Sequence, residues 1–224
     1  MKNKSRAKRP EAANGGAQKR LKILQSVLPQ VPFDGWTESA YGRGLKLAGV
    51  TRGEADLLFP QGLRDVIGLF GEEADRAMLA KIEREPGFQR LKVREKIALA
   101  VRTRLESWQP HREAVRRMMY WYALPFNLPL GMKRLYKTVD LMWRAAGDAS
   151  TDFNFYTKRG LLAAVLKATI LFWLDDKSAG CEASWQFLDR RISDVLKAGK
   201  SISLPKEFKP NELMDMVKQK LRRT

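Results

Sequence analysis

The sequence predicts an all-α fold of nine or ten helices. Three observations lead there. Apolar residues recur at three- and four-residue spacing along almost every ordered stretch, the mark of a helix with one buried face. Prolines, glycines and capping residues fall between these stretches, where helices start and stop. No apolar–polar alternation bounded by turn residues argues for a strand.

Residues 1–17 mix Lys, Arg, Asn, Gly and Ala with almost no large apolar side chain, and are expected to form a disordered basic tail. Order is expected from Gln18. Leu21, Leu24, Val27 and Leu28 make one helical stripe, which Pro29 and Pro32 end. Thr37 caps a second helix through Ala48, with Gly49 as its stop. Thr51-Arg52-Gly53-Glu54 is a capping box and opens a short third helix to about Phe59, where Pro60 stops it. Gly62–Lys81 gives a fourth helix through Leu63, Val66, Ile67, Phe70, Ala74 and Met78. Pro86-Gly87 breaks the chain. Helical patterns follow over Val93–Trp108, His111–Leu124, Lys133–Ala146, Tyr156–Leu174 and Glu182–Ala198. The segment Gly160–Leu174 is apolar nearly all round and must be covered on several sides, as a core helix, a dimer interface or the wall of an apolar cavity. The expected organisation is the tail 1–17, a helix-turn-helix unit over 18–60, a helical body over 61–200, and a linker with a basic C-terminal helix over 201–224.

The 224 residues are 44% hydrophobic, enough for a sizeable core. The formal charge of +17 attracts nucleic acid or an anionic membrane surface. His111 and Cys181 are single residues of their kind, so no disulfide forms within the chain and no Cys/His zinc cluster is available. The basic N-terminus has no apolar run behind it, so a secretory signal is not expected, and no 18-residue apolar stretch exists to span a bilayer. A cytoplasmic protein, at most peripheral on the inner face of the cytoplasmic membrane, is expected. The paired acids Glu72-Glu73 and Asp175-Asp176 are sequence neighbours and point to different helix faces. An enzyme, a catalytic residue or a cofactor is therefore not expected.

Trp36–Gly62 reads as two short helices around the turn Ala48-Gly49-Val50, a helix-turn-helix. The words Ala48-Gly49-Val50-Thr51-Arg52-Gly53 and Leu57-Leu58-Phe59-Pro60 resemble the DNA-reading end of the TetR repressor family, whose second helix enters the major groove. Aromatic or histidine side chains common there before the Phe-Pro end are replaced by Asp56, Leu57 and Leu58. Glu54 and Asp56 face a single Arg52. Acids in a groove-facing helix oppose phosphate contact, so specific DNA binding is not expected. The alternative reading is a TetR-like transcriptional regulator with a small apolar effector.

Asp140–Gly160 reads as a helix end, a Gly147-Asp148 stop, a polar turn in which Ser150, Thr151 and Asp152 are candidate caps, and a helix opening on Phe155 and Tyr156. Aromatics beside an arginine either anchor a partner or staple two helices together. This run, with Leu161-Leu162-Ala163-Ala164, Trp185–Ile192 and Val31-Pro32-Phe33-Asp34-Gly35-Trp36-Thr37, resembles the lipid-binding accessory family of ubiquinone biosynthesis, the ninth coenzyme Q protein of mitochondria and its alphaproteobacterial relatives. The resemblance covers about residues 20–200. It implies a TetR-like all-α homodimer that holds an isoprenoid, quinone-type lipid or phospholipid and associates with the demethoxyubiquinone hydroxylase. The implied partner-facing residues are Asp140, Met142, Asp152, Phe155, Tyr156 and Arg159. Phe155 stands where tryptophan is common, and Lys158 where arginine is.

Each buried methylene of an isoprenoid tail contributes roughly 0.8 kcal/mol, so such a lipid needs an apolar shelter outside the bilayer. Candidate walls are Met118, Tyr122, Leu135, Val139, Leu162, Val165, Leu166 and Thr169. Behind Pro210, Leu213, Met214, Val217 and Leu221 share one helical face, with Lys218, Lys220, Arg222 and Arg223 around it. A short basic amphipathic helix of this kind suits an anionic membrane surface.

Overall fold

The computed structural model describes residues 9–149 and 153–201. Ten α-helices lie among them, and no strand: α1 (Arg9–Val27), the single turn α2 (Val31–Asp34), α3 (Glu38–Ala48), α4 (Arg52–Leu58), α5 (Leu63–Arg84), α6 (Val93–Ser107), α7 (Arg112–Ala123), α8 (Leu128–Ala145), α9 (Phe153–Asp175) and α10 (Glu182–Ser201). None of them is long and apolar enough to cross a membrane. Residues 1–8 of the expected tail, the cap candidates Ser150, Thr151 and Asp152, and the C-terminal stripe from Leu213 to Arg223 lie outside the described residues.

Two boundaries differ from expectation. Helix α1 begins at Arg9 rather than at Gln18. Pro10, suited to a first helical turn, and the strong helix formers Ala12, Ala13 and Ala17 outweigh Gly15 and Gly16 in the sequence. Helix α8 begins at Leu128 rather than Lys133, because Pro129 suits a first helical turn.

The head is built from α1, α3 and α4. The Thr37 hydroxyl accepts from the Ala40 N–H, and Gly49 turns the chain at φ 66°. Thr51 and Glu54 close the capping box, with the Glu54 carboxylate accepting from the Thr51 N–H at 3.1 Å. Helices α1 and α3 meet at Gly44, where a Cβ would stand 2.3 Å from the Val27 side chain and 2.9 Å from its Cα. Only glycine permits that approach.

Helices α5 to α10 form the body, with α5 on α6, α8 on α9, and α9 on α10. One cluster of buried side chains runs without a break from Ile23 to Ile192, across the 60/61 boundary. Trp36 fastens head to body: its indole N–H donates to the Ala114 carbonyl at 3.0 Å. Its ring leans on Phe70, which stacks on Trp108, with centroids 5.6 and 5.5 Å apart. Helix α9 is held at its C-terminal end by cations from α7. Arg116 donates to the Leu174 carbonyl at 2.9 Å and Arg112 to the Asp176 carbonyl at 2.6 Å, which satisfies carbonyls at the negative end of the helix.

Asp176 then starts α10. Its carboxylate accepts from the backbone and hydroxyl of both Ser178 and Ser184, at 2.5–2.8 Å. Burial alone would raise this carboxyl, but the four hydrogen bonds outweigh it and bring its pKa from 3.8 down to about 2. A depressed carboxylate contributes stability above its unfolded pKa and loses it as pH falls through the folded one. Asp176→Asn is therefore expected to be less stable than the parent near neutral pH, with the gap closing between pH 4 and 2. Thermal midpoints across that range check this.

Candidate functional site

An apolar cavity opens between α5, α6, α7, α8 and α9. It measures about 150 Å³ and is open on one side. Four of the eight expected wall residues meet there: Met118, Tyr122, Leu135 and Leu166. Val139, Leu162, Val165 and Thr169 do not line it. They are buried in the core, and the Thr169 hydroxyl donates back to the Val165 carbonyl at 2.8 Å. Helix periodicity identified a buried face for these positions but not which part of that face borders empty space.

One wall of the cavity is polar. Arg104 on α6 donates through Nε to Asp75 on α5 at 2.7 Å, and the Thr138 hydroxyl of α8 donates to both oxygens of Asp75 at 3.1 and 3.0 Å. All three residues are buried. The Arg104 guanidinium lies 4.0 Å from the Trp108 ring centre, a cation–π contact that offsets part of its desolvation. At the rim, Arg134 and Lys137 both reach Glu72 at 3.5 Å. Burial raises the Tyr122 hydroxyl to about 12, so it stays a neutral donor in ordinary solution. Gly131 lets Tyr122 lie across α8: a Cβ at residue 131 would stand 3.0 Å from that ring.

Asp75, Arg104, Thr138 and Gly131 did not stand out in the sequence. The available signal was a charge on an apolar stripe, Asp75 beside Ala74 and Met78, and Arg104 beside Val101 and Leu105. Their pairing across 29 residues leaves no local trace. Among the described residues no cluster of His, Cys, Asp and Glu is placed to hold a metal ion. The arrangement offers an apolar recess with one hydrogen-bonding wall, suited to binding.

The α8–α9 junction differs from a purely partner-facing patch. Arg159 is 1% exposed and Met142 is fully buried. Arg159 donates to Asp140 at 2.7 Å, to Asp148 at 3.2 Å and to the Phe155 carbonyl at 3.2 Å, and its guanidinium stacks on the Phe155 ring. Arg159 and Met142 therefore staple α8 to α9 and present no surface to a partner. A buried arginine with two carboxylates is an internal tie, and sequence spacing cannot distinguish it from an exposed one. Tyr156, by contrast, is 65% exposed. Asp140 and Phe155 are half-buried, and Asp152 lies outside the described residues.

In the head, the single base of the second helix is already paired. Arg52 reaches Glu38 at 2.9 Å and Asp56 at 3.2 Å. Leu57 on the same helix is 85% exposed. An acid-paired arginine beside a bare leucine is a poor surface for phosphate.

Comparisons with known proteins bear on both regions. Residues 128–199, covering α8, α9 and most of α10, match the COQ9 family model. Over 184 residues the chain is 34% identical to the human mitochondrial ubiquinone biosynthesis protein COQ9, covering 80% of this chain and 58% of that protein. The Xenopus laevis protein COQ9-B is 31% identical over 191 residues, covering 83% of this chain and 65% of that one. The chain thus spans about six-tenths of the length of the curated relatives it matches. A solved TetR transcriptional regulator from Nitrosomonas europaea superposes with a TM-score of 0.66 at 21% identity, covering 80% of this chain and 98% of that one. That likeness establishes a TetR-like all-α fold.

The buried pair on the cavity wall carries a stability expectation. Arg104→Met should cost about 3–5 kcal/mol by leaving Asp75 buried and unpaired. The double change Asp75→Leu with Arg104→Met should recover most of that loss, as read by urea unfolding.

Proposed function

The chain belongs to the COQ9 family, and from that premise we propose that it is a non-catalytic accessory protein of ubiquinone biosynthesis that shelters a lipid and presents it to a hydroxylase. The observation that carries this reading is the cavity. Its walls are mostly apolar, Asp75, Arg104 and Thr138 are hydrogen-bonded together on one of them, and it has an open mouth. A space near 150 Å³ holds about one benzene-sized ring. It therefore suits the ring or the first isoprene units of a quinone-type lipid, or the end of a phospholipid chain, with the remainder passing out through the mouth. Tyr122 as a neutral donor and the Asp75–Arg104–Thr138 wall supply polar contacts for a ring oxygen.

The partner in this reading is the demethoxyubiquinone hydroxylase, docking at Tyr156 with Phe155 and Asp140 behind it. Membrane attachment, peripheral and on the inner face of the cytoplasmic membrane, would use the basic C-terminal segment from Leu213 to Arg223. A homodimer through α9 and α10 is supported by Leu171 and Phe172, which stay exposed on α9. Phe172 also stacks on Phe187 with centroids 4.6 Å apart, giving a preformed aromatic face. Operator recognition is disfavoured by the pairing of Arg52.

Lipid extracted from the purified protein and identified by mass spectrometry tests the reading. Isoprenoid or phospholipid is expected, and Leu135→Trp, which fills the cavity, should lower its yield several-fold at an unchanged thermal midpoint. Absence of lipid from the parent protein, with salt-sensitive binding to one DNA sequence, would favour a regulator instead. Tyr156→Ala should weaken hydroxylase association about tenfold while leaving the fold intact. Unchanged association would remove Tyr156 from the docking surface.

A further inference from the structure

The hairpin joining α7 to α8 carries the largest group of bare apolar side chains on the described surface. Tyr120 and Leu124 end α7, Phe126 tips the loop, and Leu128, Met132 and Tyr136 follow along one side of α8. Phe126 is 90% exposed. This is a held surface rather than a frayed loop. The Asn127 side chain is buried and donates to the Trp121 carbonyl at 3.0 Å, and the Leu124 carbonyl accepts from both the Asn127 and Leu128 N–H groups at 2.9 Å. Pro125 and Pro129 stiffen the turn further. A rigid apolar patch of this kind marks an interaction surface.

Charge indicates what covers it. From Ala114 to Val139 the sequence has no acidic residue and five basic ones, Arg116, Arg117, Lys133, Arg134 and Lys137. The first two turn back to Glu113, and Glu72 answers Arg134 and Lys137. Lys133 and Lys137 stand exposed beside Met132 and Tyr136. Tyrosines and aliphatic side chains flanked by lysines suit the boundary between acyl chains and anionic headgroups, where the rings enter and the ammonium groups remain with phosphate. Leu128 and Met132 are both exposed on this patch and part of the cavity lining. The cavity's mouth therefore opens within the patch.

We propose that the α7–α8 hairpin is a membrane-docking element that seats the mouth of the cavity on an anionic bilayer. The purpose of that seat rests on the lipid-carrier reading above. The seat itself rests on the exposed rings, the acid-free segment and the shared residues at the mouth. With the hairpin inserted, a lipid tail passes between bilayer and cavity without crossing water, and the hairpin acts separately from the basic C-terminal segment.

A dye at the tip of the full-length protein tests this. Phe126→Cys is labelled with NBD, the native Cys181 being buried, and mixed with phosphatidylcholine vesicles with or without phosphatidylglycerol. Blue-shifted, brightened emission is expected only with phosphatidylglycerol present. Phe126→Glu is expected to reduce co-sedimentation of the full chain with those vesicles about tenfold at an unchanged thermal midpoint. Unaltered NBD emission, parental sedimentation of Phe126→Glu, or a Phe126→Glu protein whose oligomeric mass changes without lipid would each overturn the proposal, the last by making the hairpin a protein–protein face. Lipid analysis of Phe126→Glu separates the two readings. Lipid retained by a variant that no longer sediments leaves the carrier function standing and supports the seat. A parent protein that sediments but carries no lipid defeats the carrier function alone.

Discussion

Helix α9 is apolar along most of its length, and much of the body is arranged to cover it. Leu162, Val165, Leu166, Ile170, Trp173 and Leu174 are all buried, so α7, α8 and α10 must each give it a face. A helix covered on several sides in this way still leaves polar groups at its ends, and these receive charge from neighbouring elements. Arg159 ties its first turns to Asp140 and Asp148, while Arg112 and Arg116 close the carbonyls of its last turn. The strongly basic composition is thus partly spent inside the structure, on ion pairs and helix ends.

The cavity follows from the same packing. Helix α9 offers it Leu166 and Ile170, and α8 approaches α7 closely at Gly131. The gap left between α5 and α8 is bridged by Asp75, Arg104 and Thr138. Each of these is satisfied by another, and a buried polar cluster persists in an apolar interior only on that condition.

The helices were legible in the sequence because their signals are local. The Thr37 cap, the Thr51–Glu54 box and the Gly49 stop are each written within a few residues, and all three formed as read. The cavity was half legible. Met118, Tyr122, Leu135 and Leu166 were read from periodicity, but the same periodicity also selected Val139 and Thr169, since a helix face records burial and not the emptiness beside it. Asp75 and Arg104 were missed because the contact joining them spans two helices. Arg159 carries the same ambiguity: the sequence leaves it either a partner anchor or a staple, because its partners Asp140 and Asp148 come from the preceding helix and turn, and only the fold encloses the three together.

The hydrogen bond from Trp36 to Ala114 gives the head a meaning independent of reading DNA. Trp36 lies just before α3, while Ala114 lies on α7, one turn from Met118 and two from Tyr122. Trp36, Phe70 and Trp108 form a single aromatic seam between them, and Trp108 itself borders the cavity. Cutting the head away would strip that seam and leave α7 without its backing. A helix-turn-helix whose second helix is acidic thereby buttresses the wall of the chamber.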